Sequence, residues 1–426
     1  MKKIILLTFV FAAQLLAQPD FVIQNDIIQS GKFYNSEVHF FPAGQEYLVY
    51  YSYKISYSQL FFEKNADLFH AGFRVNIEIK DSSDKIIKRV FDDRKLSVKD
   101  FDVTNSPNTF LQGVLNFILP EGKYNLMAII SDQTSKRERR IPPMGLEINK
   151  SKIILNPIVF DPGKIKCDEK ESFVLSNNSA SIPFNKPTND LVIPVNDPQI
   201  TSLSIKVKRG DKIIIEDEKI TESFQANPEI KLCDDKVVIT RGSDSTNVKL
   251  FIVRNFSSKL TEGPVELEVY PDDSLNKKQI FNLNVIWIGK PISLLEPEEA
   301  IRFIEIIEGK EVVSDIFSSS GSDEEKLFNY WSKQDPTPET KFNELMNEFY
   351  TRVDYCEMNF RSLTGNGGAK SDRGKTYIRF GPPDSIERDT NNDDKVVEYW
   401  TYKKSQKKFV FVDTEGTGKF TLVNGQ

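Results

Sequence analysis

The sequence predicts a multidomain protein with two β-sandwich domains of the immunoglobulin-like type, followed by an α+β C-terminal domain with an antiparallel sheet. Short runs of alternating apolar and polar residues, separated by turn signals, recur as far as Trp287 and are typical of half-buried strands. After Pro291 the apolar residues change to helical spacing. With 426 residues, 39% of them hydrophobic, the chain is long and apolar enough for several cores.

The N-terminal segment has the features of a secretory signal peptide. Lys2 and Lys3 precede an apolar run from Ile4 to Leu16, and Ala17 places a small residue at the cleavage position. The run is too short to cross a bilayer comfortably, and an uncleaved anchor is the alternative interpretation. We therefore expect residues 1–17 to be removed, leaving a periplasmic or secreted chain without a transmembrane span.

Two β regions are expected next, at residues 18–150 and 151–290. Apolar residues alternate with polar ones at 73–79 in the first region and at 203–207 in the second. Each of these strands leads through a turn into another apolar run, which gives a faint internal repeat. Two tandem sandwiches are the favoured interpretation, and one larger β domain is the alternative.

Composition restricts the classes of function. The net charge is −6 and the 56 Lys and Arg residues are dispersed, so a basic face for nucleic acid is not expected. The chain has two histidines, His39 and His70, and both lie in the first β region. We therefore expect no cofactor, and no histidine-based metal site or serine–histidine–aspartate triad in the C-terminal half.

The three cysteines lead to different expectations. Cys167 and Cys233 fall in the second β region and either form a disulfide or remain as thiols. A disulfide between them would contribute roughly 4 kcal/mol through loop entropy. Cys356 has no local partner and lies on an apolar helical stripe, which predicts a core position rather than a reactive thiol.

The C-terminal domain, expected at residues 291–426, begins with helices. Pro297 suits a first helical position, and Gly309 suits a helix end. Ser322 and Glu325 have the spacing of a capping box.

The clearest helix in the chain carries an apolar stripe from Phe342 to Phe360. Its apolar residues recur at steps of three and four, which predicts one face packed into the core of an α+β domain. Asp335 or Thr337 is expected to cap its N-terminus.

The stretch from Ser371 to Asp384 has the most distinctive composition. Asp372-Arg373-Gly374 predicts a turn with Gly374 at positive φ. Lys375 to Phe380 alternates and predicts a short strand packed on the long helix, which the prolines after Gly381 end. Because a strand is expected to follow, the glycine-rich loop at 365–370 is not expected to bind a nucleotide.

The last part of the domain is expected to be a small antiparallel sheet. A polar loop from Asp389 to Asp394 imitates the start of a calcium loop, but it lacks the required glycine and glutamate, so no metal site is expected. Strands are predicted at 396–402, 407–413 and 419–423.

Several of these motifs resemble the GWxTD domain family of exported bacterial proteins. The matching pieces, in chain order, are Trp331, Asp335-Pro336-Thr337-Pro338, Asn343-Glu344, Tyr350, Arg352-Val353, Phe360, Ser371-Asp372-Arg373-Gly374, Tyr377 to Asp384, Trp400-Thr401-Tyr402 and Phe409-Val410-Phe411. The resemblance covers about residues 300–426 and implies the α+β fold without an assigned activity. Where the family has Gly-Trp-x-Thr-Asp, this chain has Gly368-Ala369-Lys370-Ser371-Asp372, so Ala369 replaces the tryptophan.

A weaker likeness suggests a binding role. The Gly-Pro-Pro-Asp segment ending at Asp384, followed by strands rich in aromatic residues, is similar to small outer-membrane lipoproteins of the assembly machinery. Those proteins are binding adaptors with helices against a small antiparallel sheet, and the likeness is one of fold.

Three interpretations of the distinctive residues remain open. The first is an exported, non-enzymatic interaction or scaffold protein that binds a protein or another cell-envelope component. Its candidate binding residues are Asp372, Arg373, Arg379, Asp384 and Trp400. The second is an envelope hydrolase that uses carboxylates of the C-terminal domain, such as Asp372, Asp384 or Glu398. The third is purely structural and pairs Arg373 with Glu344 or Glu348 of the long helix.

Overall fold

The structure is a computed structural model that describes residues 34–425 except 107–108, 186–187, 243–247, 272–276 and 364–366. The predicted signal peptide lies outside the described residues. Strands account for 49% of the structure and helices for 20%. Within the described ranges, no helix has the length and apolar character needed to cross a membrane.

The first β region contains two antiparallel sheets. The smaller one has three strands, β1 (Tyr34–Ala43), β2 (Glu46–Ser56) and β6 (Phe110–Leu119), and β2 lies in the centre. The larger one contains β3 (Glu63–Asn65), β4 (Leu68–Lys80), β5 (Ile86–Val98), β7 (Gly122–Asp132), β8 (Glu138–Arg140) and β9 (Met144–Ile148). A short helix, α1 (Phe101–Thr104), follows β5.

The second β region also contains two sheets. A seven-stranded sheet is formed by β10 (Ile158–Cys167), β11 (Lys170–Leu175), β13 (Asp190–Val195), β16 (Ser223–Gln225), β17 (Pro228–Cys233), β18 (Lys236–Arg241) and β19 (Lys249–Val253). A five-stranded sheet is formed by β12 (Ser181–Pro183), β14 (Leu203–Arg209), β15 (Lys212–Ile220), β20 (Gly263–Pro271) and β21 (Gln279–Ile286). The strands predicted from the alternation at 73–79 and 203–207 are confirmed as parts of β4 and β14.

The four sheets are stacked, and the three-stranded sheet lies inside the stack. Successive residues of β2 are inaccessible, with Tyr50 at 5% and Tyr51 at 2% exposure, so both faces of this strand are covered. The core cluster that contains them joins β4 of the first region to β18 of the second. Along β19, Ile252 belongs to this core, whereas Phe251 belongs to the core shared with the five-stranded sheet. Apolar packing is therefore continuous from the first β region into the second.

Cys167 and Cys233 form a disulfide that ties together two hairpin turns of the seven-stranded sheet. Cys167 is the last residue of β10, Cys233 is the last residue of β17, and their Cα atoms lie 6.0 Å apart. Cys356 is a free thiol and is fully buried, as its position on the apolar stripe predicts.

Removing this disulfide is expected to destabilise the second β region. The two cysteines are separated by 66 residues, so replacing both by alanine should lower the free energy of unfolding by about 4 kcal/mol through the entropy of the unfolded chain. Urea unfolding followed by circular dichroism measures the change. Reduction of the unsubstituted protein should lower the free energy of unfolding by a similar amount. An unchanged urea midpoint in both experiments would contradict the expectation.

The C-terminal domain packs helices against a four-stranded antiparallel sheet. The helices are α2 (Pro297–Phe303), α3 (Glu305–Glu308), α4 (Lys310–Ser318), α5 (Asp323–Ser332), α6 (Glu344–Asn359) and α7 (Asp372–Phe380). The sheet follows chain order through β22 (Ser385–Thr390), β23 (Val396–Tyr402), β24 (Lys407–Asp413) and β25 (Phe420–Gly425). The capping box of Ser322 and Glu325 is confirmed at the start of α5.

The predicted strand at Lys375–Phe380 is wrong, because this segment is the body of α7. Ser371 caps the helix, and its Oγ accepts a hydrogen bond of 3.0 Å from the N–H of Gly374. Gly374 is therefore helical and not at positive φ. Glycine is required there by close packing instead, since an added Cβ would lie 2.1 Å from the carbonyl oxygen of Gly368.

Two further expectations are corrected nearby. Asn343, rather than Asp335 or Thr337, caps α6, because its Oδ1 accepts a hydrogen bond of 2.8 Å from the N–H of Met346. The polar loop predicted from Asp389 is shorter than expected, since β22 continues through Thr390 and pairs with β23. The edge position of β22 allows such polar residues in a strand.

Candidate functional site

Arg373 lies inside the C-terminal domain and is 7% exposed. Arg373 Nη1 donates to both carboxylate oxygens of Glu398 at 3.3 Å, and Nη2 donates to the carbonyl of Gly418 at 3.3 Å. The third nitrogen, Nε, is buried and has no hydrogen-bond partner among the described residues. The guanidinium also lies 3.9 Å from the ring centroid of Phe420. The predicted pairing with Glu344 or Glu348 is wrong, because α7 packs against both α6 and β25, and Arg373 pairs with Glu398 of the sheet.

Glu398 is the centre of a buried polar network. It is 2% exposed and also accepts hydrogen bonds from Arg388 Nε and from Trp400 Nε1, each at 3.2 Å. Burial alone would raise the pKa of Glu398, but the bond from Arg388, the charge of Arg373 and the indole bond together outweigh it, so the pKa lies below its ordinary value. The carboxylate therefore stabilises the fold above its unfolded pKa of about 4.3 and loses that contribution as the pH falls through the folded pKa.

The other predicted residues also have internal partners. Asp372 accepts a hydrogen bond of 2.9 Å from the N–H of Leu422, and Asp384 accepts one of 2.6 Å from the N–H of Lys403. Arg379 donates to the carbonyl of Ile306 at 2.9 and 2.6 Å, which ties α7 to α3. Trp400 is fully buried. The structure thus brings Arg373 and Trp400 together on Glu398, whereas Arg379 and Asp384 have separate partners.

The segment from Gly368 to Asp372 is the turn that starts α7. Ser371 Oγ donates to the carbonyl of Gly368 at 2.6 Å, and the buried Ala369 donates its N–H to Glu357 at 3.0 Å. The strand that was expected after the glycine-rich loop is a helix, so the absence of a following helix is not a valid reason against nucleotide binding. This helix start nevertheless carries a serine cap and the Asp372 carboxylate, where phosphate-binding loops present free N–H groups.

A cleft of about 690 Å³ lies between the second β region and the C-terminal helices. Two aromatic residues line it, Phe184 after β12 and Trp287 after β21, and the buried Phe342 before α6 packs against both. Their ring centroids are 5.4 to 5.6 Å apart, and two of the three pairs are T-shaped. We call this group the aromatic floor of the cleft.

Trp287 leaves a polar group unused in this floor. It is 5% exposed, and its indole Nε1 is buried without a hydrogen-bond partner. The ammonium of Lys290 lies 5.5 Å from the ring centroid of Trp287 and donates to Glu262 at 2.8 Å. Because an indole N–H can only donate, this residue of the cleft lining has a buried donor that no acceptor of the described residues satisfies.

The helical wall of the cleft is held in place by Trp331 and Asn343. The Trp331 indole donates to the Tyr350 hydroxyl at 3.4 Å, and that hydroxyl donates to the carbonyl of Ala300 at 2.8 Å. The Asn343 amide donates to the carbonyl of Trp331 at 2.8 Å, so one residue caps α6 and fixes the end of α5. These residues therefore position the wall rather than contact a ligand with free polar groups.

The rim of the cleft is mixed in character. Phe328 is 48% exposed and contributes apolar surface, whereas Glu324, Asp335 and Lys341 contribute charges of both signs. Among the residues that the structure describes, no group of three or more His, Cys, Asp or Glu side chains could hold a metal ion. The arrangement suits non-covalent binding of a ligand that is both apolar and polar.

Trp287 was not among the residues selected from the sequence. It ends the alternating run at Phe281, Leu283 and Val285, so the pattern assigns it to a strand core. The position of Trp287 just before the linker at Gly289 could have indicated a role in the cleft. An aromatic residue at a domain junction is well placed to line a cleft between the two domains.

Comparison with known proteins identifies the C-terminal part of the chain. The family model of the GWxTD domain matches residues 293–424, which contain helices α2 to α7 and the four-stranded sheet. This part of the chain is therefore a GWxTD domain, and the resemblance noted in the sequence is confirmed. No curated protein matches the chain.

Proposed function

We propose that this GWxTD-domain protein is an exported, non-enzymatic binding protein of the cell envelope, and that its cleft holds an extended segment of a partner protein. The observation that carries the proposal is the buried indole N–H of Trp287, which has no acceptor although it lies in a cleft of about 690 Å³. A backbone carbonyl of an extended peptide is an acceptor of the required kind.

The remaining lining supports a peptide as the ligand. Phe328 and Met346 offer apolar surface for side chains, and Lys341 and Glu324 offer both signs of charge at the rim. This combination of an apolar centre and a polar rim is typical of protein interfaces.

The carboxylates considered for a hydrolase are engaged elsewhere. Asp372 and Asp384 each accept a backbone N–H, and Glu398 lies between Arg373 and Arg388. A glycosidase-like mechanism needs two carboxylates that face each other across an open site. The contacts of these three carboxylates therefore favour binding over catalysis.

Export is part of the same proposal. The disulfide between Cys167 and Cys233 favours an oxidising compartment, and the apolar segment before Ala17 would direct the chain there. We further propose that the stacked antiparallel sheets are immunoglobulin-like sandwiches that support the GWxTD domain.

Site-specific photo-crosslinking in the native cells tests the cleft. A benzophenone amino acid in place of Phe328 should give one discrete adduct with an envelope protein. Adding Trp287→Phe keeps an aromatic ring, although a smaller one, and removes the donor, so we expect about three- to tenfold less adduct, as for the loss of one neutral hydrogen bond.

A matched position serves as the control. Phe91 in β5 is 60% exposed and belongs to the first β region, so the same photoprobe there should not give this adduct. Either the same adduct from position 91 or no adduct from position 328 would contradict a binding role for the cleft.

A further inference from the structure

A second cavity, of about 570 Å³, lies between the first and second β regions. It is lined by β1, by the segment that joins the two regions near Lys152, and by β21. None of its lining residues belongs to the GWxTD domain, so its use is independent of the cleft described above.

A buried histidine and a buried glutamate of β1 lie at this cavity. His39 is 3% exposed and Glu37 is 4% exposed, and His39 Nε2 lies 3.3 Å from Glu37 Oε2. The other carboxylate oxygen accepts the N–H groups of Asn178 and Ala180 at 2.8 and 2.9 Å. An ionised carboxylate can only accept, so Glu37 accepts from two backbone N–H groups and from the imidazole.

The second ring nitrogen of His39 has no partner. With the proton of the neutral ring on Nε2, toward Glu37, Nδ1 is left as an acceptor. His39 Nδ1 is buried and makes no hydrogen bond within the described residues. Gln279 Oε1, on the opposite side of the junction in β21, is also buried and without a partner. His39 and Gln279, which both line the cavity, thus each have a buried acceptor that lacks a donor.

Lys152 adds a partly buried positive charge to the lining of this cavity. Its ammonium donates to Asn156 Oδ1 at 3.0 Å and lies 5.4 Å from the ring centroid of Phe281. Glu147 acts on this ammonium through its charge, but no ion pair of Lys152 with a carboxylate is found among the described residues. Burial lowers the pKa of Lys152 by more than the charge of Glu147 raises it, because the charged form is partly removed from water.

We propose that this cavity binds a sugar acid, in which the carboxylate pairs with Lys152 and hydroxyl groups donate to His39 Nδ1 and Gln279 Oε1. One hydroxylated carboxylate supplies both the anion and the donors that the lining residues lack. A cavity of about 570 Å³ is large enough for a monosaccharide or a disaccharide.

Nuclear magnetic resonance of the full chain labelled with ¹⁵N-histidine tests the proposal, because the chain has just two histidines. Three probes are compared. D-glucuronate carries hydroxyl groups and a carboxylate, D-glucose carries hydroxyl groups alone, and acetate carries a carboxylate alone. Glucuronate should shift the Nδ1 resonance of His39 with saturation and leave His70 unchanged. Glucose and acetate should bind at least about tenfold more weakly, since each lacks one class of contact.

A lysine pair provides matched variants. Lys152→Met keeps the aliphatic stem but removes the charge, so it should weaken glucuronate binding at least about tenfold. Lys150→Met, at an exposed position two residues earlier, should leave binding unchanged. If saturating glucuronate leaves His39 unshifted, ordered water fills the cavity and the proposal is overturned. Equal binding by Lys152→Met and the unsubstituted protein would also overturn it, and the probe comparison on the unsubstituted protein decides the matter if the variant fails to fold.

Discussion

Replacing Arg373 by alanine is expected to lower the free energy of unfolding by about 3–5 kcal/mol. The side chain is 7% exposed and donates to Glu398, which is 2% exposed. Its removal leaves a desolvated carboxylate with less positive charge around it and opens a void between the rings of Phe360 and Phe420. Denaturation in guanidinium chloride, followed by tryptophan fluorescence, measures the loss.

Arg361 is the matched control for this substitution. It forms an exposed ion pair of 3.4 Å with Glu357, so Arg361→Ala should change stability by within about 1 kcal/mol. Replacing Arg373 and Glu398 together by apolar residues should recover part of the loss, because no unpaired charge remains buried, while the buried indole N–H of Trp400 loses its acceptor. An unchanged midpoint for Arg373→Ala would show that this arginine is free for binding, contrary to the contacts in the structure.

The second large effect is expected from Gly374→Ala in α7. An alanine Cβ would lie 2.1 Å from the Gly368 carbonyl oxygen and 2.7 Å from that of Ala369, so the backbone of the turn must move. Overpacking of this kind costs about 1–3 kcal/mol, and contact with backbone rather than a flexible side chain places the cost at the upper end.

The sign of the Gly374 result is informative. In an exposed helix, alanine is more favourable than glycine by about 1 kcal/mol, so stabilisation by Gly374→Ala would contradict the close approach. Lys375 occupies the next helical position and is exposed, so Lys375→Ala should change the free energy of unfolding by less than about 0.5 kcal/mol. The same denaturation experiment compares the two variants.

Several elements of the GWxTD domain were predictable because their signals are local. The stripe from Phe342 to Phe360 specifies one helix face, and most of its residues are buried in α6. The capping box of Ser322 and Glu325 involves residues three positions apart, so the sequence alone contains the whole interaction.

The segment after Ser371 was mispredicted because two patterns competed. Thr376, Ile378 and Phe380 alternate as in a strand, whereas Ser371 is a helix cap with Asp372 in the first turn. Tertiary packing decided between them, since the close contact of Gly374 with the preceding turn requires a helix there.

The partners of the candidate residues could not be predicted because they depend on contacts between distant segments. Glu398 is 25 residues from Arg373 and reaches it only when β23 joins the sheet. The cleft likewise depends on how Trp287 of the second β region meets Phe342 of the GWxTD domain. Neither contact leaves a periodic pattern in the sequence.

Strand β2 of the three-stranded sheet, which is covered on both faces along its middle, determines how the β half of the molecule responds to heat. Because β1, β2 and β6 share one core with both neighbouring sheets, separating the two β regions would expose the tyrosine-rich face of β2 to water. The energetic cost couples the regions, so the two β regions should unfold in a single cooperative transition rather than independently. We therefore expect the two β regions to resist bending relative to each other, because strands β1 and β2 pack into the core that both regions share.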